Sequence, residues 1–210
     1  MRWFEPLRRS WLLYHLADAH FAFMYDPPPA DEWVTLDCET TGLDANRDQI
    51  ISIGAVRIAG NRLLTSQRLE LLVRPERALA ADSVRVHQLR EKDVAQGMNP
   101  EQAMRRLLDF IGSRPLVGYF LEFDVAMLNR EIWPLLGVHL PQPKIEVSAM
   151  YYDFKNRQLP PQERGGTIDL RFATMMNDLA LPLRTAHDAL NDAVMAGLAF
   201  VKLRQLLTAR

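Results

Sequence analysis

The apolar residues of this chain change period near Pro75. Before it, Trp33-Val34-Thr35-Leu36 reads as a strand that ends at Asp37-Cys38-Glu39 and the turn residues Thr41-Gly42. Gln49 to Ala59, rich in Ile and Val, reads as a second strand, and Leu63 to Val73 as a third after the turn pair Gly60-Asn61. Three strands with joints this short predict an antiparallel meander. After Pro75 helical spacing takes over. Pro100 opens a helix through Ile111, with Met104, Leu107, Leu108 and Ile111 on one face. Pro115 to Tyr119 reads as a short buried strand, and Asp124 to Leu136 as a helix that Pro134 kinks or stops. Lys144 to Val147 reads as an edge or final strand before a helix from Ser148. After a loop from Leu159 through Gly166, helices are expected over Ile168 to Leu179 and Asp188 to Leu207. The class that follows is α/β: a mixed sheet that starts with a three-stranded antiparallel meander, flanked by helices.

Two parts are expected. Residues 1–30 hold an amphipathic helix, opened by Pro6 and running to about Tyr25, and a linker at Pro27-Pro28-Pro29; residues 31–210 form the main domain. The helix either packs on the body or detaches to bind a protein partner. It is not a secretion signal, because His15, Asp18 and His20 interrupt its apolar stretch. No apolar run reaches the roughly 18 residues of a membrane span. A single cysteine, Cys38, forbids an intramolecular disulfide and fits a reducing compartment, so a cytoplasmic location is expected. With 25 Lys+Arg against 26 Asp+Glu the net charge is −1, which excludes a protein that coats duplex nucleic acid non-specifically. Any nucleic-acid contact must be local.

Three short segments carry chemistry. Asp37 and Glu39 sit two apart at a strand end, so both carboxylates project to one face while Cys38 points away. Adjacent anions repel unless a cation sits between them, and hard oxygen ligands suit Mg²⁺ or Mn²⁺. In a chain with 26 acidic residues such a pair arises by chance roughly once, so alone it is weak. His187 precedes Asp192 by five residues; Asp188 between them is a plausible helix N-cap, and a polar loop histidine is the plainer reading of His187. Asp124 opens a helix directly after a strand, where α/β folds gather active-site groups.

In this order the three segments resemble the DEDDh branch of the 3′–5′ exonucleases, the DnaQ-like family that includes the proofreading epsilon subunit of DNA polymerase III. The likeness runs from about Trp33 to Phe200: Asp37-Cys38-Glu39-Thr40-Thr41-Gly42-Leu43 resembles the first motif, Phe123-Asp124 the second, and His187-Asp188-Ala189-Leu190-Asn191-Asp192 the third. The resemblance implies an RNase H-like fold. It implies Asp37, Glu39, Asp124 and Asp192 as ligands of two divalent cations, Mg²⁺ or Mn²⁺, with His187 as general base. It also implies Thr40, Thr41 and Leu43 under the terminal nucleotide, with Asp82 and His87 touching it; their plainer readings are a helix cap and a surface histidine. The chemistry is coherent, because two cations can serve both ends of an in-line displacement at phosphorus and a histidine can accept a proton near neutral pH.

Two positions depart from the family. Tyr119-Phe120 stands where His-Asn is usual, and Glu146-Val147 where Asp-Thr is usual. Neither holds an expected ligand. Tyr119 and Phe120 either stack on bases or belong to the core, and a strand end favours core. The expected activity is metal-dependent hydrolysis at single-stranded DNA 3′ ends, releasing nucleoside 5′-monophosphates. The alternatives are the same chemistry on RNA, or a catalytically silent module that binds a partner. Arg210 leaves no long tail, so a polymerase-tethering segment is not expected.

Overall fold

The structure, a computed structural model, describes residues 5–76, 91–185 and 187–208. Asp82 and His87 lie outside the described residues. The strands are β1 (Glu32–Thr40), β2 (Ile50–Ala59), β3 (Arg62–Leu72), β4 (Leu116–Gly118) and β5 (Lys144–Glu146). They form one sheet in the order β3-β2-β1-β4-β5. The first three strands pair antiparallel, as the meander requires, and β4 and β5 join in parallel. The helices are α1 (Glu5–His15), α2 (Glu91–Val94), α3 (Pro100–Ile111), α4 (Leu121–Leu136), α5 (Val147–Gln158), α6 (Phe172–Asp178) and α7 (Ala189–Thr208).

Strand alternation divides the core between the two faces of the sheet. Val34, Leu36 and Cys38 of β1 pack with Met104 and Leu107 of α3 and Leu128 and Ile132 of α4. Thr35, one residue out of phase, faces α7, and its hydroxyl donates to the Ala193 carbonyl at 2.8 Å. That second side also holds Ile58, Val117, Val147, Met175 and Phe200. Both faces are covered, as parallel strands demand. The sheet is therefore a layer between helices, and the face of α7 is the face of Asp37 and Glu39.

Gly54 sets how close α7 can come. It is the register partner of Asp37, and a Cβ there would lie 2.2 Å from the Ala189 carbonyl carbon and 2.3 Å from the Leu190 nitrogen. No side chain other than hydrogen leaves room for the start of α7 at that spot. The helix consequently begins directly across the strand pair from the first carboxylate.

Several boundaries differ from those expected, each for a local reason. The N-terminal segment is not one helix to Tyr25: α1 stops at His15, and a 3₁₀ helix follows over Ala19–Tyr25. The Asp18 carboxylate caps that second piece by accepting the His20 N–H at 3.0 Å. Phe21 and Met24 are buried in the same core as Leu36, Ala17 N–H donates to the Leu136 carbonyl, and Arg105 pairs with Asp18 at 2.7 Å. Pro134 does not stop α4, because it lies in the last turn, three residues before left-handed Gly137 closes the helix. The segment from Ile168 stays extended until Phe172, since the Asp169 carboxylate engages the N–H and guanidinium of Arg171 and the hydroxyl of Thr174. Among the described residues no helix is long and apolar enough to cross a membrane.

Candidate active site

The C-terminal ends of the parallel strands β1 and β4 point the same way, which puts Glu39 and the start of α4 on one rim of the sheet. Helix α4 begins three residues before Asp124, so the carboxylate sits in its first turn and not at its start. Glu146 fixes that beginning from 25 residues away. Its Oε2 accepts the Leu121 N–H at 3.0 Å, while Oε1 accepts from the N–H and hydroxyl of Ser148 at the start of α5. One glutamate thus caps two helices, which gives the departure at Glu146 a structural role. Asp124 in turn accepts the Cys38 N–H through Oδ1 at 3.1 Å, locking the second motif onto the first.

The third motif is built by the N-cap of α7. Asp188 accepts the Asn191 N–H through Oδ1 at 2.8 Å. His187 takes a left-handed backbone conformation (φ 62°), and its N–H donates to Asp192 Oδ2 at 2.9 Å. The turn folds back so that one ligating atom each from Glu39, His187 and Asp192 lies within 4.8 Å of the other two. Asp37, Glu39, Asp124, His187 and Asp192 all line a single cleft of about 650 Å³.

Thr40 and Leu43 also line this cleft, and Leu43 is 89% exposed. The Thr41 hydroxyl points instead to Asp48 Oδ1 at 2.9 Å and accepts the Gln49 N–H, and so closes the loop that carries Leu43. Arg130 of α4 holds the same loop through the carbonyls of Ala45 and Asp48. At the other departure, Tyr119 and Phe120 both line the cleft; Tyr119 is also partly buried against the core that holds Val117 and Phe200, and only Phe120 stands clear of it. The Tyr119 ring packs on Phe172 at 4.7 Å and its hydroxyl donates to the Leu170 carbonyl, whereas Phe120 is left-handed and 69% exposed. A strand-end position favoured core for both; the strand ends at Gly118, before either residue, and Tyr119 alone keeps contact with the core.

Sequence reasoning missed Phe172, Leu183 and Arg184, which line the same cleft. The Arg-Thr-Ala segment just before His187 was the available signal.

Burial and mutual repulsion of carboxylates dominate the electrostatics of the site. Burial first, then the neighbouring Asp124, Asp192 and Glu39, raise Asp37 well above the usual carboxylate range. Burial and the charges of Asp192 and Asp188 push Glu39 up to about 7. Burial also raises Asp124 and Asp192, although the Cys38 and His187 N–H groups oppose it. Four carboxylates of raised pKa beside one imidazole form an oxygen-rich donor set that fits a hard divalent cation such as Mg²⁺ or Mn²⁺. The Cys38 thiol faces the other core and is held neutral by burial and the same anions.

A mixed five-stranded sheet with carboxylates gathered at the end of its central strand is the arrangement of the RNase H-like fold. The chain belongs to the DnaQ-like 3′–5′ exonuclease family: residues 34–200 match the RNase_T exonuclease family. A DNA polymerase III subunit epsilon-like protein of Rhodobacter capsulatus is 30% identical over 182 residues, covering 85% of this chain and 24% of that protein. The PolC-type DNA polymerase III of Thermotoga maritima is 25% identical over 175 residues, covering 83% and 12%. This chain thus spans about a quarter or less of the length of those relatives. Among solved structures, the zinc-bound E. coli ExoI complex with single-stranded DNA has a TM-score of 0.70 at 15% identity, covering 87% of this chain and 42% of that one. Exonuclease X in complex with 5′-overhanging duplex DNA has a TM-score of 0.62 at 20% identity, covering 82% and 91%.

Proposed function

We propose that this chain hydrolyses single-stranded DNA from the 3′ end and releases nucleoside 5′-monophosphates. Asp37, Glu39, Asp124 and Asp192 hold two divalent cations, Mg²⁺ or Mn²⁺, and His187 is the general base. The observation that carries this reading is the convergence of all five side chains on one cleft. When bound, the cations supply positive charge to the phosphate and to the departing 3′ oxygen. The His187 imidazole, beside Glu39 and Asp192, takes the proton of the attacking water. Its backbone N–H, bonded to Asp192, keeps base and carboxylate in fixed relation.

Substrate is gripped locally. Leu43 and Phe120 offer exposed apolar surface at the mouth of the cleft, suited to the terminal bases, and stacking contributes about 1–3 kcal/mol per base. With a net charge of −1 the protein has little to hold long duplex, so a blunt end must first unpair at a cost of a few kcal/mol. A denaturing-gel time course tests this on 5′-labelled linear strands, a blunt duplex and a circular single strand, with EDTA and with Mg²⁺ or Mn²⁺. The linear strand should shorten stepwise from its 3′ end, with the duplex slower and the circle intact. Turnover in EDTA, cutting of the circle, or shortening from the 5′ end would overturn the assignment. Matched RNA strands in the same assay distinguish DNA from RNA preference.

A further inference from the structure

We propose that Arg184 binds the scissile phosphate, and so selects a terminal nucleotide by its 5′-phosphate group as well as by its base. The inference rests on the exonuclease reading above. Five of the residues that line the cleft are Asp37, Glu39, Asp124, Asp192 and His187; Arg184 is the one guanidinium or ammonium group among the described lining residues. A guanidinium in such company would be expected to pair with a carboxylate. Among the described residues Arg184 makes no ion pair. Its side-chain partner is neutral: Nη1 donates to the Asn191 amide oxygen at 3.3 Å. Its own backbone N–H donates to Met195 Sδ at 3.2 Å, which ties the residue to α7 on the same turns that carry Asp192. The charge is thus positioned by two contacts to the helix of the third motif and neutralised by neither.

The geometry suits a phosphodiester. A guanidinium presents several N–H donors in a planar fork, so one can stay on Asn191 while others meet non-bridging phosphate oxygens. Phosphate arriving among four carboxylates needs positive charge from more than one source, and cations held by the carboxylates of β1, α4 and α7 would supply only part of it. Arg184 stands on the loop that leads into His187, so it supplies charge from the side of the general base. A purely structural arginine, holding the loop through Asn191, would leave substrate charge unread.

The test separates these roles by binding as well as by rate. Arg184→Gln keeps an amide donor for Asn191 and removes the charge; Arg184→Lys keeps the charge and loses the fork. Affinities for thymidine 5′-monophosphate and for thymidine are measured by calorimetry with Ca²⁺ present, alongside kcat and KM on an oligonucleotide and on a 5′-p-nitrophenyl thymidine phosphate. Wild type should prefer the monophosphate to the nucleoside. Arg184→Gln should lose roughly 10- to 100-fold of that preference, the scale of a charge-assisted hydrogen bond, with thymidine binding and melting temperature unchanged. The same loss should appear in kcat/KM for both substrates, since each carries the scissile phosphate, and Arg184→Lys should recover part of it. An unchanged preference in Arg184→Gln, or equal loss of thymidine binding, would overturn the assignment to phosphate. A defect confined to the oligonucleotide would place Arg184 on an upstream phosphate and overturn it likewise. Wild-type release of mononucleotides in the same experiment keeps the exonuclease reading intact whichever way Arg184 behaves; only its absence would count against that reading.

Discussion

Removing the divalent cations should destabilise the fold, and should do so far more at alkaline than at acidic pH. Glu39 shows the magnitude. Its folded value is about 7 against an ordinary 4.5, a rise of about 2.5 units that corresponds to about 3 kcal/mol, or about 2 kcal/mol once solvent at its partly exposed carboxylate is allowed for. The sign follows from proton counts. Between about pH 4.5 and 7 the folded chain holds a proton on Glu39 that the unfolded chain has released, so metal-free stability falls as pH rises through that window. Asp37, Asp124 and Asp192 shift in the same direction and deepen the loss. A bound cation requires the ionised forms, so its stabilisation has the opposite pH dependence. At about pH 8 a cation at a hundred times its dissociation constant contributes about 2.7 kcal/mol. At about pH 5.5 displacing the Glu39 proton alone weakens apparent affinity roughly 30-fold, and the same cation concentration contributes under about 1 kcal/mol. For a chain of 210 residues that is a melting-temperature gain of about 5–10 °C at the higher pH against about 2–3 °C at the lower. Scanning calorimetry in EDTA and in Mn²⁺ at the two pH values measures it directly. Equal gains at both, or a gain undiminished in Asp37→Ala/Asp192→Ala, would refute the assignment of these carboxylates as cation ligands.

His187→Ala should lower kcat by about 10²–10⁴-fold without reducing the Mn²⁺-dependent melting gain, while His15→Ala and His139→Ala leave the rate unchanged. Gly54→Ala should cost about 1–3 kcal/mol by overpacking against the Ala189 backbone and depress activity beyond that loss of stability, read by calorimetry beside single-turnover rates. Phe120→Ala should raise KM for single strands by the worth of one stacked base, about 1–3 kcal/mol, with little change in melting temperature because the ring is exposed.

What could be read from the sequence and what could not divide along one physical line. The placement of Asp37 and Glu39 on one face needed only the two-residue period of a strand, and β1 obeys it: Cys38 goes to one core and Thr35 to the other. The first three strands, α3 and the Asp188 cap were likewise legible, because each depends on neighbours a few residues away. The misreadings at the site depend on partners far along the chain, whereas those at Asp18 and Asp169 come from side-chain bonds to residues two positions on. Helix α4 starts at Leu121 because Glu146, 25 residues later, accepts its first N–H, and this early start ends the strand before Tyr119 and Phe120, so both turn to the cleft. The same distance hid Arg184. Its sequence neighbours place it beside His187, but only the approach of α7 to β1 and β2 brings that loop over the carboxylates. That approach is in turn licensed by Gly54, opposite Asp37. A glycine in an Ile- and Val-rich strand is a weakness unless something must come close, and here the close object is the helix that carries the last ligand. Gly54 therefore belongs to the chemistry as fully as the residues that line the cleft, since the span between Asp37 and Asp192 is set by the absence of its side chain.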